Sequence, residues 1–463
     1  MPQVWLRICA MKICAYVMSA YAKQTYSQES HDVRAWPGFE MILDALRRAG
    51  ETVIYAGSAT VHEYDIVLVS ITSDCDWWPF VGERVTWKQS KQVVIAGGAG
   101  VLNVRPFLGF VDAFVLGRAE ELLPEMVNRL RDGEQWQYES IVWSDRFNKD
   151  GQWKIYQADK PYPHSFMLTN GKRFIEASIG CPNKCLFCGY TWHRRYIGDG
   201  TFTAGAESMS AGNREHTIRD LLKIPAEHWQ DSGPLRIVGL DGFSERLRMM
   251  VNKRISREGL RRFLRGLGSI NKPHQVKLYS IVGYPTETES DWQEFIEDLS
   301  AVDAEFKSGK QWSLLVHITP FRAMPATPSA TWEMSGINYR GRLAHILRKP
   351  GMKGNIFFQG NRFWAVEGMG TDSLASVIHS AICLRGTETD ADAFKAVACS
   401  HRYWSSNSKQ KAATLKQWFD VDRLLGAFTD DNLPTKYLTG YVRESCLKRL
   451  SKRCSPNVAP SPK

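Results

Sequence analysis

The sequence predicts an α/β protein in three parts: an N-terminal doubly wound, Rossmann-like domain, a partial (β/α) barrel, and a mainly helical C-terminal region. Two observations lead to this fold class. Short apolar runs alternate with amphipathic helices in two successive series, which is the pattern of parallel sheets whose strands are joined by helices. At 463 residues, the chain is also too long for a single ordinary core.

The first series of elements occupies residues 12–135. A turn of sequence Gly97-Gly98-Ala99-Gly100 follows its fourth predicted strand, at the edge where ligands approach parallel sheets. The turn lacks the G-x-G-x-x-G spacing of a dinucleotide site, so closing a strand-to-helix corner is its commoner meaning. The predicted strands are 13–18, 52–55, 66–71, 93–96 and 113–116, and the predicted helices are 38–49 and 120–130.

A polar connector, residues 136–172, separates the first series from the second. The second series covers 173–330 and forms the predicted barrel, and residues 331–463 are rich in aromatic side chains and mostly helical in pattern. The predicted barrel strands are 174–179, 235–240, 276–282 and 313–318.

Composition limits the cellular setting. Hydrophobic residues make up 43% and charged residues 23% of the chain, and no apolar run is long enough to span a membrane. A weak signal-like stretch near the N-terminus is interrupted by Lys12 and is better interpreted as a buried strand. Most of the ten cysteines are isolated, as in a reducing compartment, so we expect a cytoplasmic protein. The net charge of +10 indicates either an anionic partner such as nucleic acid or merely a basic surface.

Three cysteines form one closely spaced group. Residues 179–190 read IGCPNKCLFCGY, which places Cys181, Cys185 and Cys188 in a C-x₃-C-x₂-C loop after a predicted strand. Three thiolates can hold one face of a 4Fe–4S cluster and leave the fourth iron without a protein ligand. The alternative is a zinc site in which His193 completes a Cys₃His set, although zinc sites usually carry a second C-x₂-C pair.

This loop resembles the cluster motif of the radical S-adenosylmethionine (SAM) superfamily, including the aromatic Phe187 before the third cysteine. The resemblance implies that SAM binds the open iron. An electron from the cluster would then cleave SAM to methionine and a 5′-deoxyadenosyl radical that abstracts hydrogen from the substrate. In this family, Phe187 would lie against the adenine.

Three later segments resemble the same family in the expected order. Residues 239–247, followed by Asn252 and Lys253, resemble the fourth-strand turn, where Asp241 and Ser244 would face SAM. Residues 278–288 resemble the fifth strand and its exit, where Ile281 and Gly283 would flank the adenosine.

The third segment, residues 319–328, resembles the exit loop of the sixth strand. The family's second-strand Gly-Gly-Glu, which usually binds the SAM amino group, has no counterpart between Tyr190 and Leu235. The contacts of the amino group are therefore unassigned.

The N-terminal series resembles the cobalamin-binding domain found in one branch of this superfamily, through residues 93–98 and 112–123. Cobalamin bound in the base-off form normally takes its lower ligand from an Asp-x-His-x-x-Gly loop. That string is absent, and neither His31 nor His62 has its context. Some members of the branch bind cobalamin without this histidine, so both a cobalamin site and a cobalamin-free domain stay open.

The outcome of the radical reaction depends on the substrate. The chain resembles viral radical SAM enzymes tied to hypermodified thymidine in phage DNA, so we expect rearrangement of a nucleobase side chain, with isomerisation of glycyl-thymidine as the named candidate. The implied partners are DNA and a reductant such as flavodoxin or ferredoxin, in the host cytoplasm if the protein is viral. One alternative is cobalamin-dependent methyl transfer to a small molecule or natural product. Another is an electron-transfer or sensor protein. Sulfur insertion is disfavoured because no second cysteine group is present.

Overall fold

The first sheet of the computed structural model is doubly wound. Strand order is β2-β1-β3-β4-β5-β6, all parallel except the last pair, which gives the 2-1-3-4-5 order of flavodoxin-like sheets. Its elements are β1 (Ile13–Tyr16), α1 (Pro37–Arg48), β2 (Val53–Ala56), β3 (Ile66–Ser70), α2 (Trp77–Arg84), β4 (Val93–Gly97), β5 (Ala113–Val115), α3 (Leu123–Arg131) and β6 (Ile141–Trp143). The structure describes residues 11–18, 37–87, 91–148, 151, 153–168, 173–176, 178–198, 215–229, 237–269, 274–305, 312–334, 356–358, 361–367, 374–387 and 389–427.

Both faces of this sheet are covered. Alternate residues of β1 enter different cores, since Ile13 packs with α1 and α3 while Cys14 packs with α2. A strand buried on both sides must be apolar at every position, which is why β1 and β3 read as continuous apolar runs without alternation.

The second sheet carries the barrel-type elements. Its order is β13-β14-β12-β11-β10-β9, parallel except for β13. Its elements, with the short β7 and β8 pair that precedes them, are β7 (Phe166–Met167), β8 (Arg173–Phe174), α4 (Gly189–Trp192), β9 (Glu215–Thr217), α5 (Ile218–Leu221), β10 (Ile237–Gly239), α6 (Glu245–Met250), α7 (Arg257–Ser269), β11 (His274–Val282), α8 (Glu289–Glu305), β12 (Trp312–Pro320), β13 (Ile356–Phe358) and β14 (Asn361–Glu367).

The C-terminal helices pack against the N-terminal domain. Trp78 on α2 stacks on His379 and lies 4.6 Å, ring to ring, from Phe394. Arg322 after β12 pairs with Asp74 at 2.6 Å, so the exit of the second sheet is also bonded to the first domain. These helices are α9 (Leu374–Arg385), α10 (Asp390–Ala398), α11 (His401–Ser405), α12 (Ser408–Trp418) and α13 (Val421–Leu425).

The predicted fold class is confirmed, and most strand positions agree. The predicted strand 174–179 differs: after β8, only Ile179 of the described residues pairs, in a bridge with Ile197. Glu176 instead accepts hydrogen bonds from Arg118 and from the backbone of Tyr162, so tertiary contacts replace the strand ladder. Strand β6 inside the predicted connector, and β13 and β14 inside the predicted helical region, were missed. None of the helices described is long and apolar enough to cross a membrane.

Candidate iron–sulfur and SAM site

The cysteine loop lies between β8 and α4, and the residues of α4 hold its backbone. The Thr191 hydroxyl donates to the carbonyl of Cys181 at 2.7 Å, and the Trp192 indole donates to that of Cys185 at 2.8 Å. Buried carbonyls need partners, and here both come from the helix that the loop leads into. These two hydrogen bonds from α4 therefore fix the path of the loop backbone.

The turn after α6 holds the other side of the loop. The backbone N–H of Leu186 donates to the carbonyl of Val251 at 3.0 Å. The side-chain amide of Asn252 donates to the carbonyl of Lys184 at 2.8 Å. Residues 251–254, which we call the clamp turn, thus bring the fourth-strand segment against the cysteine loop.

The chemistry of the three thiols fits a cluster. Cys185 is buried, whereas Cys181 and Cys188 are half-buried. Burial raises the pKa of Cys185 to about 12 and raises that of Cys188, because removal from water disfavours the charged thiolate. The iron ions of a 4Fe–4S cluster would stabilise these thiolates and take soft thiolate ligands. Within the described ranges, no group of three His, Cys, Asp or Glu side chains, these three cysteines included, is arranged to hold a metal ion.

His193, the fourth ligand of the zinc alternative, forms a hydrogen bond outside the cysteine loop. His193 is buried, and its Nε2 bonds the carbonyl of Pro325 at 2.7 Å. Burial lowers the His193 pKa to about 4, so the ring is neutral at physiological pH. Its hydrogen bond joins α4 to the exit of β12 and gives His193 a structural role.

Left-handed backbone conformations concentrate around this loop. Six non-glycine residues of the described chain have positive φ, and all six lie in the cysteine loop, the clamp turn or the turns after β10, β11 and β12. Each costs on the order of 1–3 kcal/mol and persists only where the surroundings enforce it, as at functional sites. They are Lys184, Asp241, Asn252, Arg254, Thr286 and Ala326.

Asp241 forms a shielded ion pair beside the cysteines. Its carboxylate bonds the ammonium of Lys253, and both side chains are mostly buried. The Tyr284 hydroxyl donates to the Asp241 carbonyl at 2.8 Å. Burial would lower the Lys253 pKa, but Asp241 and the nearby Cys185 outweigh it and raise the pKa, so Lys253 stays cationic next to the loop.

The remaining predicted SAM residues lie near the same edge. Ser244 is buried and begins α6, where its hydroxyl accepts from Leu247 N at 3.2 Å and bonds Asp291. Ile281 and Gly283 lie at the exit of β11, and the Phe187 ring centroid is 6.3 Å from that of Tyr284. These positions bring the predicted set to one edge of the second sheet, and contact with SAM stays a prediction for each of them.

Glu287 is a further residue of this site that was not predicted from the sequence. Its buried carboxylate accepts hydrogen bonds from the backbone of Gly283 and Tyr284 and, at 2.6 Å, from the Trp292 indole. It thereby fixes the turn after β11. The only sequence signal was the acid four residues after Gly283, which is equally typical of an ordinary helix start.

We predict that Glu287 makes stability depend on pH. Burial outweighs its hydrogen bonds and raises the Glu287 pKa from 4.5 to about 7. A raised carboxyl pKa favours the folded state at low pH, and that contribution is lost as pH rises through about 7. Glu287→Gln removes the titration, so between about pH 5 and pH 8 the wild type should lose roughly 3 kcal/mol more than the variant. Urea unfolding of both proteins at the two pH values measures this difference, and parallel pH dependence would contradict it.

A cavity of 680 Å³ lies at the carboxyl edge of the first sheet and faces residues on either side of the cysteine loop. Its walls come from the carboxyl ends of β3, β4 and β5 and from α1, and its other side includes Ser178, Tyr190 and Arg194, which flank the cysteine loop. The Gly97-Gly98 turn also lines it, with Gly98 at φ +109° and no room for a Cβ against the Ile71 carbonyl. Such a cavity can hold a drug-sized ligand or part of a larger one.

A buried charge cluster spans the wall of this cavity. Arg118, after β5, donates two hydrogen bonds of 2.7 Å to the carboxylate of Glu176 and also bonds Glu120. Glu176 leads from β8 towards the cysteine loop. The three side chains therefore connect the first domain to the segment that carries the candidate cluster ligands.

The arginines of α7 are largely paired within the protein. Arg257 and Arg261 bond Asp298 on α8, and Arg265 bonds Glu258 and Glu305. Most of the positive charge of this helix is therefore matched by its neighbour. The helix therefore offers little unmatched positive charge for a phosphate.

A family model and a curated relative match parts of the chain. Residues 82–146 match the family model described as radical SAM proteins, N-terminal. The chain is 23% identical over 421 residues to the uncharacterized protein MJ0966 of Methanocaldococcus jannaschii, covering 80% of this chain and 87% of that protein.

Solved structures of the cobalamin-dependent SAM radical enzyme OxsB also align with the chain. The structure with aqua-cobalamin and SAM bound has 10% identity and a TM-score of 0.28, and the structure with aqua-cobalamin has 8% and 0.24. Each alignment covers 97% of this chain, which spans 62% of the length of the solved protein.

Proposed function

We propose that this chain is a member of the radical SAM superfamily and generates a 5′-deoxyadenosyl radical from SAM at a 4Fe–4S cluster held by Cys181, Cys185 and Cys188. The proposal rests on the hydrogen-bonded contact between the cysteine loop and the clamp turn, next to the Asp241 turn. All three segments contain left-handed backbone conformations, which persist only where the surrounding structure enforces them. When bound, the cluster supplies the electron that cleaves SAM to methionine and the radical.

The chain's own residues would position SAM in this scheme. Lys253 keeps a positive charge beside the thiolates and holds the Asp241 carboxylate. Glu287 fixes the Gly283 turn, and Tyr284 ties that turn to the Asp241 turn. The adenosine-flanking positions are thus ordered before SAM arrives, which lowers the entropy cost of binding.

The test is formation of 5′-deoxyadenosine by the anaerobically reconstituted protein with SAM and a chemical reductant. Product should appear only when iron, sulfide, SAM and reductant are all present. An electron-transfer or sensor protein would take up a cluster but cleave no SAM. Reconstituted protein that binds a cluster and forms no 5′-deoxyadenosine would therefore favour that alternative.

For the overall reaction we propose rearrangement of a nucleobase side chain, with glycyl-thymidine in phage DNA as the candidate substrate. Support comes from the net charge of +10, the absent lower-ligand motif and the family resemblance. The pairing of the α7 arginines within the protein counts against that helix as a DNA surface. A reductant such as flavodoxin or ferredoxin, and a cytoplasmic location, belong to the same proposal.

The cavity favours a second candidate, cobalamin-dependent methyl transfer. It lies at the carboxyl edge of the doubly wound sheet, where such folds bind cofactors, and it opens towards residues flanking the cysteine loop. We predict that protein produced in cobalamin-replete cells retains a corrinoid only if methyl transfer is the activity. The visible spectrum of the extract from the unfolded protein shows whether a corrinoid was bound. Variants that lack the cluster cysteines are the control, because cluster absorbance overlaps that of a corrinoid.

A further inference from the structure

We propose that Asn252 is a positioning residue that holds the spacer between Cys181 and Cys185 in the conformation needed to ligate a cluster. Its amide Nδ2 donates to the Lys184 carbonyl at 2.8 Å and reaches the Asn183 carbonyl at 3.4 Å. Both carbonyls lie inside the spacer. The inference rests on the proposed function, because it assigns Asn252 a role in holding the same cluster.

The spacer needs support from outside because its backbone is strained. Lys184 has φ +54°, a left-handed conformation that non-glycine residues adopt rarely. Thr191 and Trp192, which closely follow the loop in sequence, hold the carbonyls of Cys181 and Cys185. Asn252 comes from 68 residues further along the chain and holds the middle.

Asparagine meets two requirements at position 252. The residue has φ +60°, which glycine, asparagine and aspartate tolerate better than other residues. Of these three, only asparagine carries an amide N–H that can donate to a carbonyl. The backbone of the turn also contributes, since the Val251 carbonyl accepts from Leu186, so the two contributions must be separated by experiment.

Three variants of Asn252 separate the contribution of its side-chain amide from that of the backbone of the clamp turn. Asn252→Gly keeps the left-handed backbone and removes the amide. Asn252→Asp keeps the shape and the backbone but replaces the donor with an acceptor. Asn252→Ala removes the amide and also disfavours the backbone. The matched control is Asn103→Asp, because Asn103 is a buried asparagine whose amide donates to the Gly386 carbonyl at 2.9 Å, between the first domain and the C-terminal helices.

The readouts are the rate at which an iron chelator removes the reconstituted cluster and the electron paramagnetic resonance spectrum of the reduced cluster with and without SAM. We expect all three Asn252 variants to lose iron about tenfold faster than wild type, as for residues that orient metal ligands. The change of spectrum on SAM addition should be altered as well. Asn103→Asp should lower the unfolding temperature and leave both readouts unchanged.

Wild-type iron loss and spectra in Asn252→Gly and Asn252→Asp, with a defect only in Asn252→Ala, would overturn the inference in favour of backbone geometry alone. A double-mutant cycle with Lys184→Gly provides a second check, since it relieves the strain that Asn252 restrains. The effect of Asn252→Gly should be smaller in that background, and additive effects would count against the proposal. Failure of the wild type to bind any cluster would instead contradict the proposed function.

Discussion

A variant in which Cys181, Cys185 and Cys188 are all replaced by alanine is expected to form no 5′-deoxyadenosine. The three residues are the only closely spaced cysteines in the sequence, and their loop is fixed by contacts from α4 and the clamp turn. Without thiolates the loop offers no ligand for iron, so the loss should be complete. The measurement is chromatographic quantification of 5′-deoxyadenosine after anaerobic incubation with SAM and reductant.

The matched control is Cys399→Ala, which removes an exposed thiol remote in sequence from the loop. It should retain wild-type turnover and iron content. Equal 5′-deoxyadenosine formation by the triple variant and the wild type would refute the assignment of the cluster ligands. Loss in the control as well would point to a general effect of removing thiols.

Sequence periodicity predicted the fold class because fully buried parallel strands must be continuously apolar. It failed at residues 174–179, whose sequence FIEASI is only partly apolar and where Glu176 forms an ion pair with the buried Arg118. Such a contact joins positions 58 residues apart, and no local pattern encodes it. Strand β14 was missed for a related reason, because its pairing with β12 is non-local.

The three candidate cluster ligands could be found from their spacing alone because they lie in one loop. Residues that order the site were harder to find. Asn252 and Tyr284 act through contacts with distant turns, and Glu287 acts on the backbone of its own turn. Asn252 and Glu287 hold backbone groups, and an isolated Asn or Glu in a turn has many commoner meanings. The left-handed backbone at Lys184 likewise has no signature in residue type, since lysine is unfavourable there.

Replacing Arg118 with methionine is expected to cause a large loss in the free energy of unfolding. Arg118, Glu120 and Glu176 are 6%, 2% and 15% exposed in their side chains. Removing the cation leaves two carboxylates close together without a counter-charge, and breaking a buried pair in this way costs about 3–5 kcal/mol. Urea unfolding measures the loss, and Arg129→Ala is the control. Its exposed pair with Glu125 is worth only about 0.3–0.5 kcal/mol.

The pH dependence of the Arg118→Met defect identifies its cause. Burial already raises the pKa of Glu120, and Arg118 opposes that rise. Without Arg118 the Glu120 pKa rises further, and a raised carboxyl pKa gives stability at low pH that is lost as pH increases. The defect should therefore be smaller at about pH 5 than at about pH 8, and Arg118→Met combined with Glu120→Gln and Glu176→Gln should recover part of it. A defect independent of pH, with no recovery in the triple variant, would assign the loss to packing around Met41 and the cavity wall instead.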